Sequence, residues 1–567
     1  MDNPCKMNLC KYIDTHRGLW VWLWLMGILS LFDIPGSPVF GLPPVWSAVY
    51  LLFASAFKGS LILLLLIPLL CTKRMKWLAY ALTGVYSLMA VTNAFCYAFY
   101  DMGISRKLLF IFAQTTPDEA AGFLPGLWHN IAGIFRHGAF YLAAGVAAAL
   151  YAGVKKFSPR VFMCLFSATA LIGLCCITAF ALSYSSGRSA HLLSARMVKY
   201  GSEVYRWNSR YHEILQQKKP LPHAESVRSD HLAHTAIVIV GESAAKKHHS
   251  LYGYPLPTTP EADRIADSLY VFTDVIASSK STAGNMERIL SFKEDDRTFG
   301  DGLDHPLLID LFNAAGYRTY WLSNQERTGS VSNTSGVMVM NSDVIKYVGA
   351  DNSEDALCVR YDEALLPELD RALADTAVHK LIFLHLLGSH VEFRQRYPQK
   401  FDLFTHEDET KAFRFPWLDK ASAQRRAEYD NSIRYTDFLL SSIIKKASLL
   451  PQPAIVVYFS DHGENLYETG SYTGRDNLAV EIPFYVYLNR HYSSLNPDIE
   501  RKLAKGRERS FSSANFVHML MTLTGSRYAL YDAALDPLSD SCVIRPRYVD
   551  EEVWPADITV KNQSAGI

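Results

Sequence analysis

Four apolar segments in the second half of the chain each run directly into polar residues that could bind a metal ion or a phosphate. These polar endings are Gly241-Glu242-Ser243, Ser323-Asn324-Gln325, Gly388-Ser389-His390 and Ser460-Asp461-His462-Gly463-Glu464. Ligands of open parallel sheets bind beyond the carboxyl ends of the strands, so we expect the four endings to meet at one rim. One such ending is usually an ordinary polar turn, but four that supply three acids and two histidines favour a shared site.

The acids and imidazoles at these endings are suitable ligands for a divalent cation. Asp461 and His462 follow an apolar segment directly, and buried charges are tolerated when they are paired or coordinate a metal. Carboxylate oxygens and imidazole nitrogens suit Zn²⁺, with Mn²⁺ as the alternative. We therefore predict a metal site that includes Glu242, Asp461 and His462.

A group of hydroxyl residues could supply a nucleophile beside such an ion. Ser278, Ser279, Ser281 and Thr282 connect a β-like run to a helical pattern. A hydroxyl at the start of a helix gains from the amide N–H groups and the positive end of the helix dipole, which also favour a bound phosphate. Ser281 or Thr282 could equally be a simple N-cap, and the spacing alone does not decide between the two roles.

The region that carries these motifs alternates apolar β-type runs with helical segments. This alternation is typical of a mostly parallel sheet with helices on both faces. We predict an α/β/α catalytic domain over residues 231–567, which is long enough to be held together by its own core. Of the nine cysteines, only Cys358 and Cys542 lie there, so at most one internal disulfide is available to it.

Residues 18–183 are much more apolar than the rest of the chain. They contain five runs that approach the roughly 20 residues needed to cross a bilayer core, at about 18–34, 49–71, 76–99, 138–154 and 161–183. Lys58 interrupts the second run, and we expect its side chain to extend to the membrane interface. We predict an α-helical transmembrane domain over residues 1–184, with a loop at 100–137, and an amphipathic linker helix within residues 185–230.

Positive charges in the short loops predict the orientation of these spans. Basic residues precede the first run and recur in "TKRMK" and "KKFSPR", and such loops stay in the cytoplasm. Five crossings then place loop 100–137 and everything after about residue 184 in the periplasm of a Gram-negative cell. The chain would be a multi-pass inner-membrane protein with a periplasmic catalytic domain. Lys+Arg and Asp+Glu both number 56, and no motif predicts a nucleic-acid partner.

The motifs occur in an order that resembles a known family, the bacterial phosphoethanolamine transferases. They are "VIVGESAAKKHHSLYGYPLPTTP", "VIASSKSTAGNMERILSF", "WLSNQ", "FLHLLGSHVEFRQRYP", "YDNSIRYTD" and "VVYFSDHGEN". Members are inner-membrane enzymes of the alkaline phosphatase/sulfatase superfamily. The resemblance covers residues 236–490 together with a similar five-span layout. It implies a sulfatase-like catalytic domain and is closest to the branch that acts on the lipopolysaccharide core.

The resemblance also implies roles for individual residues. It implies a Zn²⁺ ion with the ligands Glu242, Thr282, Asp461 and His462. Thr282, rather than Ser281, is the implied nucleophile because its distance to "ILSF" matches the lipopolysaccharide-core branch. His390 is similar to the family histidine that contacts the phosphate or a second metal.

Four further residues near these motifs are candidates for substrate or phosphate binding, namely Asn324, Gln325, His385 and Glu464. The chain departs from lipid A-modifying relatives in having "SKST" where they have "SCGT". It has "SYTGRDN" where they place a histidine that would bind a second zinc ion, and Arg475 could contact phosphate there instead. Both departures favour a core sugar or another periplasmic acceptor over lipid A.

The segment "AQTTPDEAAG" at residues 113–122 resembles the family's membrane-proximal donor site. Thr115 and Glu119 are four residues apart and would share one helical face, so Glu119 would meet the ethanolamine ammonium. The family asparagine expected one turn earlier is replaced by Ile111. An interfacial helix with a solvated acid is the alternative interpretation.

The activity implied is transfer of phosphoethanolamine from phosphatidylethanolamine, through a phospho-threonine, to lipopolysaccharide (core sugar or lipid A) or another periplasmic glycan. A membrane-anchored hydrolase of the sulfatase or phosphodiesterase type is one alternative, but the chain lacks a formylglycine cysteine motif and a full two-metal ligand set. A glycerol- or cholinephosphate transferase would share the nucleophile. The four implied zinc ligands argue against a catalytically inactive binding protein.

Overall fold

The chain forms two compact units, Met1–Asn208 and Ser209–Ile567. The computed structural model describes residues 13, 15–31, 44–100, 221–293, 304–325, 334–349, 361–469, 477–543, 545–549 and 552–554, with isolated positions 164, 167, 168, 171, 172, 201, 202 and 205. The boundaries at residues 184 and 230 that the sequence suggests for a membrane domain and a linker remain predictions.

Three helices of the first unit coincide with the first three apolar runs. They are α1 (Arg17–Leu31), α2 (Pro44–Leu70) and α3 (Lys76–Tyr100). Within the described residues, one segment, Leu52–Leu70, is long and apolar enough to cross a membrane, with a mean hydropathy of 2.1. The fourth and fifth runs lie almost entirely outside the described residues, so the five-span arrangement remains a prediction.

Lys58 lies inside the first unit. Its Nζ donates to Ser30 Oγ of α1 at 2.8 Å and lies 5.7 Å from the ring centroid of Tyr86 on α3. A neutral hydroxyl and an aromatic face thus receive the ammonium between the helices, and the expectation that this side chain extends to the membrane interface stays a prediction.

The second unit is built on a seven-stranded sheet. Its strands are β1 (Thr235–Gly241), β2 (Leu269–Val271), β3 (Arg318–Ser323), β4 (Val344–Tyr347), β5 (Lys380–His385), β6 (Ala454–Ser460) and β7 (Phe484–Leu488). The spatial order is β2-β7-β6-β1-β5-β3-β4. Only β7 runs against the others, pairing antiparallel with both β6 and β2. The predicted mostly parallel sheet is confirmed.

The central strands β1, β5 and β6 are buried along their whole length. Parallel strands that are covered on both faces are expected to be continuously apolar, as these are. Alternate residues of β1 face two separate cores: Val238 packs in one, and Ile237 and Ile239 pack in the other. The sheet is therefore a rigid layer between two hydrophobic cores.

Helices cover both faces of this sheet. The helices of the second unit are α4 (Pro260–Arg264), α5 (Thr282–Ile289), α6 (Leu308–Ala314), α7 (Thr334–Met338), α8 (Leu365–Ala374), α9 (His406–Ala412), α10 (Lys420–Ser448), α11 (Arg490–Leu495), α12 (Pro497–Gly506) and α13 (Phe516–Thr524). Residues of α6 and α13 contribute to one core, and residues of α8 and α10 contribute to the other.

Short strand pairs and 3-10 turns complete the second unit. Arg228–Ser229 pairs with Ser526–Arg527, Val275–Ile276 with Phe511–Ser512, and Arg547–Val549 with Glu552–Trp554. The 3-10 turns are Ala224–Ser226, Lys246–His248, Ser250–Tyr252, Ala266–Ser268, Asp362–Ala364, Phe393–Gln395, Gln399–Phe401, Asn477–Val480 and Ser513–Asn515. Cys542 is a free thiol, and Cys358 lies outside the described residues.

The four polar endings leave the sheet on the side where its parallel strands have their carboxyl ends. Gly241 at the end of β1 is level with Ser460 at the end of β6, and Ser323 at the end of β3 is level with His385 at the end of β5. Because these strands are parallel, the residues that follow them emerge at a common rim, as the sequence predicts.

Candidate metal and nucleophile site

Glu242, Asp461 and His462 meet at this rim. Glu242 directly follows β1, while Asp461 and His462 directly follow the neighbouring β6. Each offers a ligand atom within 4.8 Å of the others, and all three side chains are buried. The Nε2 atom of His462 lies 3.5 Å from Glu242 Oε1 and 3.6 Å from Asp461 Oδ2.

Thr282 brings a hydroxyl to the same place. It is the first residue of α5, and its Oγ1 donates to both carboxylate oxygens of Glu242, at 3.2 and 3.1 Å. Ser281 occupies the N-cap position, but its side chain makes no capping hydrogen bond and instead contacts Ser279 Oγ at 3.1 Å. Of the two hydroxyls that the spacing leaves open, Thr282 is the one that contacts the acid.

The two buried acids carry raised pKa values. Burial raises the pKa of Glu242 to about 7, and the nearby Asp461 carboxylate adds to this shift. Burial likewise raises the pKa of Asp461 to about 6, although hydrogen bonds from the backbone N–H groups of Ser243 and His462 oppose the shift. Two carboxylates this close and this dry are costly to ionise together unless a cation lies between them.

The polar atoms of the cluster fit a divalent cation. His462 Nδ1 lies 2.8 Å from the Gly463 carbonyl oxygen, which can only accept, so Nδ1 carries the proton and the Nε2 lone pair faces the carboxylates. Asp461 Oδ2 is buried and has no hydrogen-bond partner among the described residues. Two carboxylates and one imidazole form a donor set that suits Zn²⁺.

The turn after β1 is held in an unusual backbone conformation. Ser243 has a φ of 57°, in the left-handed region that non-glycine residues rarely adopt. Its N–H donates to Asp461 Oδ1 at 3.0 Å, and its carbonyl accepts from the Tyr429 hydroxyl at 2.6 Å. The same hydroxyl accepts from the Ala245 N–H at 2.7 Å. These bonds offset the strain and fix the position of Glu242.

A second turn packs against the backbone of Glu242. Gly388 has a φ of 50°, and a Cβ atom there would lie 2.9 Å from both the N and the O of Glu242. The buried Asp362 carboxylate accepts from the N–H groups of Leu387 and Gly388, each at 2.9 Å. The site therefore depends on a close approach between two backbones that only glycine permits at this position.

Gln325 and Asn324 occupy different layers of the site. Gln325 Nε2 donates to Glu242 Oε2 at 2.9 Å and to the Leu386 carbonyl at 3.1 Å. Asn324 Nδ2 donates instead to Asp362 Oδ1 at 2.8 Å, the carboxylate that accepts from the Leu387 and Gly388 N–H groups. Of this predicted pair, the structure brings Gln325 into contact with the acid cluster.

The remaining predicted residues are distributed differently. The His385 ring is buried against Trp321, with its Nδ1 3.4 Å from Ser323 Oγ, and burial lowers its pKa to about 4. His390 follows Ser389, whose N–H donates to the Glu242 carbonyl at 2.9 Å. Glu464 is buried two residues beyond His462. Three further candidates lie outside the described residues: Arg475, Thr115 and Glu119.

Asn285 is a site residue that the sequence did not reveal. It lies one helical turn after Thr282 and is fully buried. Its Oδ1 accepts from Ser278 Oγ and Ser513 Oγ, each at 2.8 Å, and its Nδ2 donates to the Ser279 and Asp461 carbonyls. The spacing of three residues from Thr282 is the only sequence signal that could have identified it.

A family model identifies the second unit. The model of the sulfatase family matches residues 234–526, which contain every strand of the main sheet. The chain belongs to the sulfatase family. The predicted sulfatase-like catalytic domain is thereby confirmed.

The sulfatase-family chain is also similar to phosphoethanolamine transferases. It is 27% identical over 524 residues to the phosphoethanolamine transferase EptC of Escherichia coli O18:K1:H7 (strain RS218 / NMEC), covering 88% of this chain and 87% of that protein. The resemblance predicted from the motifs is confirmed, and with it the prediction of an enzyme of this type.

Two solved structures extend the comparison. The C-terminal periplasmic domain of EcEptC from Escherichia coli in complex with Zn is 28% identical, with a TM-score of 0.51, covering 58% of this chain and 93% of that one. The integral membrane protein lipooligosaccharide phosphoethanolamine transferase A from Neisseria meningitidis is 20% identical, with a TM-score of 0.63, covering 94% of this chain and 99% of that one. The second likeness is one of fold.

Proposed function

We propose that this protein transfers phosphoethanolamine from phosphatidylethanolamine, through Thr282, to a hydroxyl or phosphate group of lipopolysaccharide or another periplasmic glycan. The observation that carries the proposal is the contact of Thr282 Oγ1 with both oxygens of Glu242, within the cluster completed by Asp461 and His462. A lone hydroxyl at a helix start would be an N-cap, whereas a hydroxyl directed at buried acids has the surroundings of a nucleophile.

The reaction has two balanced steps. In the first, Thr282 Oγ1 forms a bond to the phosphorus, the bond to the diacylglycerol oxygen breaks, and that oxygen takes up the proton that the threonine releases. In the second, an acceptor oxygen forms a bond to the phosphorus, the bond to Thr282 breaks, and the acceptor proton returns to the threonine. No water is consumed, which distinguishes this reaction from that of a hydrolase.

Glu242, Asp461 and His462, with Thr282 Oγ1 beside them, would hold a Zn²⁺ ion. When bound, the ion lowers the pKa of an adjacent hydroxyl and offsets the negative charge that develops on the phosphoryl oxygens. The backbone N–H groups at the start of α5 favour the same anionic group. Gln325 keeps Glu242 in place through its amide.

Substrate contacts beyond this cluster are proposed from the sequence. His390, which adjoins the turn bonded to Glu242, and Arg475 would contact the phosphoryl group, while Thr115 and Glu119 would bind the ethanolamine of the donor lipid. We assign the chain to the inner membrane, with the second unit in the periplasm, because the basic residues in the short loops predict this orientation. The names of the similar proteins support transfer of phosphoethanolamine.

The test is the intact mass of the full chain after incubation with phosphatidylethanolamine in detergent. We expect wild type to gain one phosphoethanolamine and to release diacylglycerol, Thr282→Ser to retain part of this adduct, and Thr282→Ala to lose it. Ser281→Ala is the matched control, because Ser281 makes no contact with the acids, and should load like wild type.

Two outcomes would reject the proposal. An adduct that persists in Thr282→Ala would move the nucleophile to another residue. Steady release of free phosphoethanolamine into water, with no transfer to delipidated core oligosaccharide, would identify a hydrolase.

Elemental analysis of the purified chain should find zinc or manganese, and Asp461→Asn should lose most of the bound metal.

A further inference from the structure

The segment between α9 and α10 carries a row of aromatic rings. Phe415 stacks on Trp417 with an interplanar angle of 8° and ring centroids 5.6 Å apart, and Phe413 stacks on Phe415 at the same centroid distance. Tyr254 continues the row behind Phe413 at 5.2 Å. In "FRFPW" the aromatic residues alternate with Arg414 and Pro416, and their three rings stack in sequence order.

This row is held rigidly. The Trp417 Nε1–H donates to the Tyr467 carbonyl at 2.8 Å, which fixes the indole by its edge. The buried guanidinium of Arg426 lies 4.6 Å from the centroid of Phe413 and is itself paired with Glu409 and Glu468, at 3.0 and 2.6 Å. A surface ordered before binding loses little conformational entropy when it receives a partner.

Trp417 ends the row at the surface. Its side chain is 46% exposed, and it is the only exposed aromatic residue among the described residues of the second unit. One indole face is covered by Phe415 and the N–H edge is bonded to Tyr467, so the opposite face is the part left for a partner. A flat, electron-rich face attracts the positively polarised C–H groups of a sugar ring.

The exposed ring is close to the candidate site along the chain. Tyr467, to which Trp417 is bonded, follows His462 by five residues. Five residues span at most roughly 18 Å when fully extended. An oligosaccharide of a few sugar units bound at the metal site could therefore reach the indole.

The exposed charges within segment 411–420 are mostly positive. Segment 411–420 exposes Lys411, Arg414 and Lys420 against a single acid, Asp419, which is engaged in capping α10 through the Ser422 N–H at 2.8 Å. Such a surface attracts a ligand that carries phosphate or carboxylate groups.

We propose that Trp417, supported by Phe415 and Phe413, is an acceptor subsite on which one sugar ring of an anionic glycan stacks while another part of that glycan receives the phosphoethanolamine. The inference rests on the proposed function and adds the chemistry of the acceptor to it. In this role Trp417 would contact the acceptor and not the reacting phosphorus, so it is a specificity-determining residue rather than a catalytic one.

A membrane surface is the other class of partner that tryptophan and basic residues can bind. Interfacial tryptophans place their N–H among the lipid headgroups, with the ring body in the apolar layer. Here the N–H is already bonded to Tyr467 and the ring stands in a stack. These contacts favour a sugar ring over a lipid layer.

The experiment compares acceptor use in full-length wild type, Trp417→Ala and Trp417→Phe, after loading with phosphatidylethanolamine in detergent. The acceptor probe is a delipidated lipopolysaccharide core oligosaccharide, and the rate of loading on Thr282 is the internal reference. We expect Trp417→Ala to raise the acceptor KM about tenfold more than it alters loading, the effect of losing roughly 1.4 kcal/mol of stacking. Leu449→Ala, which removes an exposed apolar side chain at the far end of α10, should match wild type.

The phenylalanine variant separates stacking from anchoring. It keeps an aromatic face but loses the hydrogen bond to Tyr467, so we expect its acceptor KM to stay within about threefold of wild type if stacking is what matters. Equal defects in the alanine and phenylalanine variants would overturn the proposal, because they would mean that the indole only holds Tyr467 in place.

Two further results would also overturn it. One is an unchanged acceptor KM in Trp417→Ala. The other is a defect confined to binding of vesicles of phosphatidylethanolamine and phosphatidylglycerol, which would identify a membrane contact. Failure of wild type to load Thr282 at all would reject the proposed function itself, whereas a wild type that loads but does not depend on Trp417 would reject only the subsite.

Discussion

At the residue scale, Gln325 supports the cluster from outside the ligand set. Its amide joins Glu242 Oε2 to the Leu386 carbonyl, and these contacts restrict the orientation of the carboxylate. We predict that Gln325→Ala weakens zinc retention by about tenfold, the lower end of the range for residues that orient metal ligands. Competition with a colorimetric chelator measures the change.

The control for this variant is Gln395→Ala, since Gln395 is exposed whereas Gln325 is bonded to Glu242. It should retain zinc like wild type. If Gln325→Ala also holds zinc with unchanged affinity, the contact seen with Glu242 does not orient a metal ligand.

Sequence patterns could predict the site residues that directly follow strands, but not the residues whose side chains connect separate elements. Glu242, Asp461 and His462 could be predicted because apolar runs ending in acids and imidazoles mark a sheet rim. Asp362 and Asn285 act through hydrogen bonds between segments that are distant in the chain, and no local pattern predicts such contacts. His385, the last residue of a buried strand, packs against Trp321 because strand alternation directs it away from the cluster.

At the element scale, the turn after β5 must pass close to the backbone of Glu242. We predict that Gly388→Ala lowers both transfer activity and thermal stability, because a methyl group at 2.9 Å from Glu242 N and O forces the two turns apart. The left-handed φ alone costs an alanine of the order of 1 kcal/mol, and the clash adds to it. Thermal unfolding and the loading assay measure the two effects.

Gly253→Ala isolates the backbone part of this effect. Gly253 also has a positive φ, of 92°, but an added Cβ there meets nothing within 4 Å. It should lose a little stability and no activity. Equal activity losses at the two positions would mean that the approach of Gly388 to Glu242 is not what matters.

Helix α5 is tied to the rim by Asn285. We predict that Asn285→Asp destabilises the protein by about 1–3 kcal/mol per lost donor contact, because it places carboxylate oxygens against the Ser279 and Asp461 carbonyls. Loading of Thr282 should fall as well, since the helix start would no longer be held at Glu242. Chemical denaturation and the loading assay provide the measurements.

Asn515→Asp is the matched substitution. Asn515 Oδ1 accepts from the Ser512 N–H at 3.1 Å in a capping box, and an aspartate oxygen would accept from the same N–H. We expect no loss of stability there. A comparable loss at both sites would point to charge in general rather than to the carbonyls that surround Asn285.

At the scale of the whole molecule, a histidine cluster lies at the amino ends of β1 and β5, whereas the site lies at the carboxyl ends of the strands. The ring of His379, just before β5, stacks on His231 with centroids 3.8 Å apart and meets His234 at 5.0 Å. Burial and the neighbouring histidines lower the pKa of His379 to about 4. As the pH falls, His379 is therefore protonated in the unfolded chain at its ordinary pKa of about 6.5, but in the folded chain only near pH 4.

The free energy of unfolding therefore decreases as the pH falls below about 6.5, and this decrease levels off below about 4. We predict that the melting temperature of wild type drops between pH 7 and pH 5 more than that of His379→Phe, which keeps a stacked ring but cannot be protonated. The exposed His491→Phe should behave like wild type. Parallel pH profiles for all three proteins would refute the prediction.

The order of strands in the central sheet determines when the site can form during folding. Strand β1 pairs with β6 along its whole length, yet the two strands stand far apart in the chain, with β2 to β5 between them. Non-local parallel pairing of this kind is slow, because a long loop must close before any contact rewards it. A nascent chain therefore exposes Glu242 long before Asp461 and His462 exist to join it, and the proposed metal site can form only after more than two-thirds of the second unit has been synthesised.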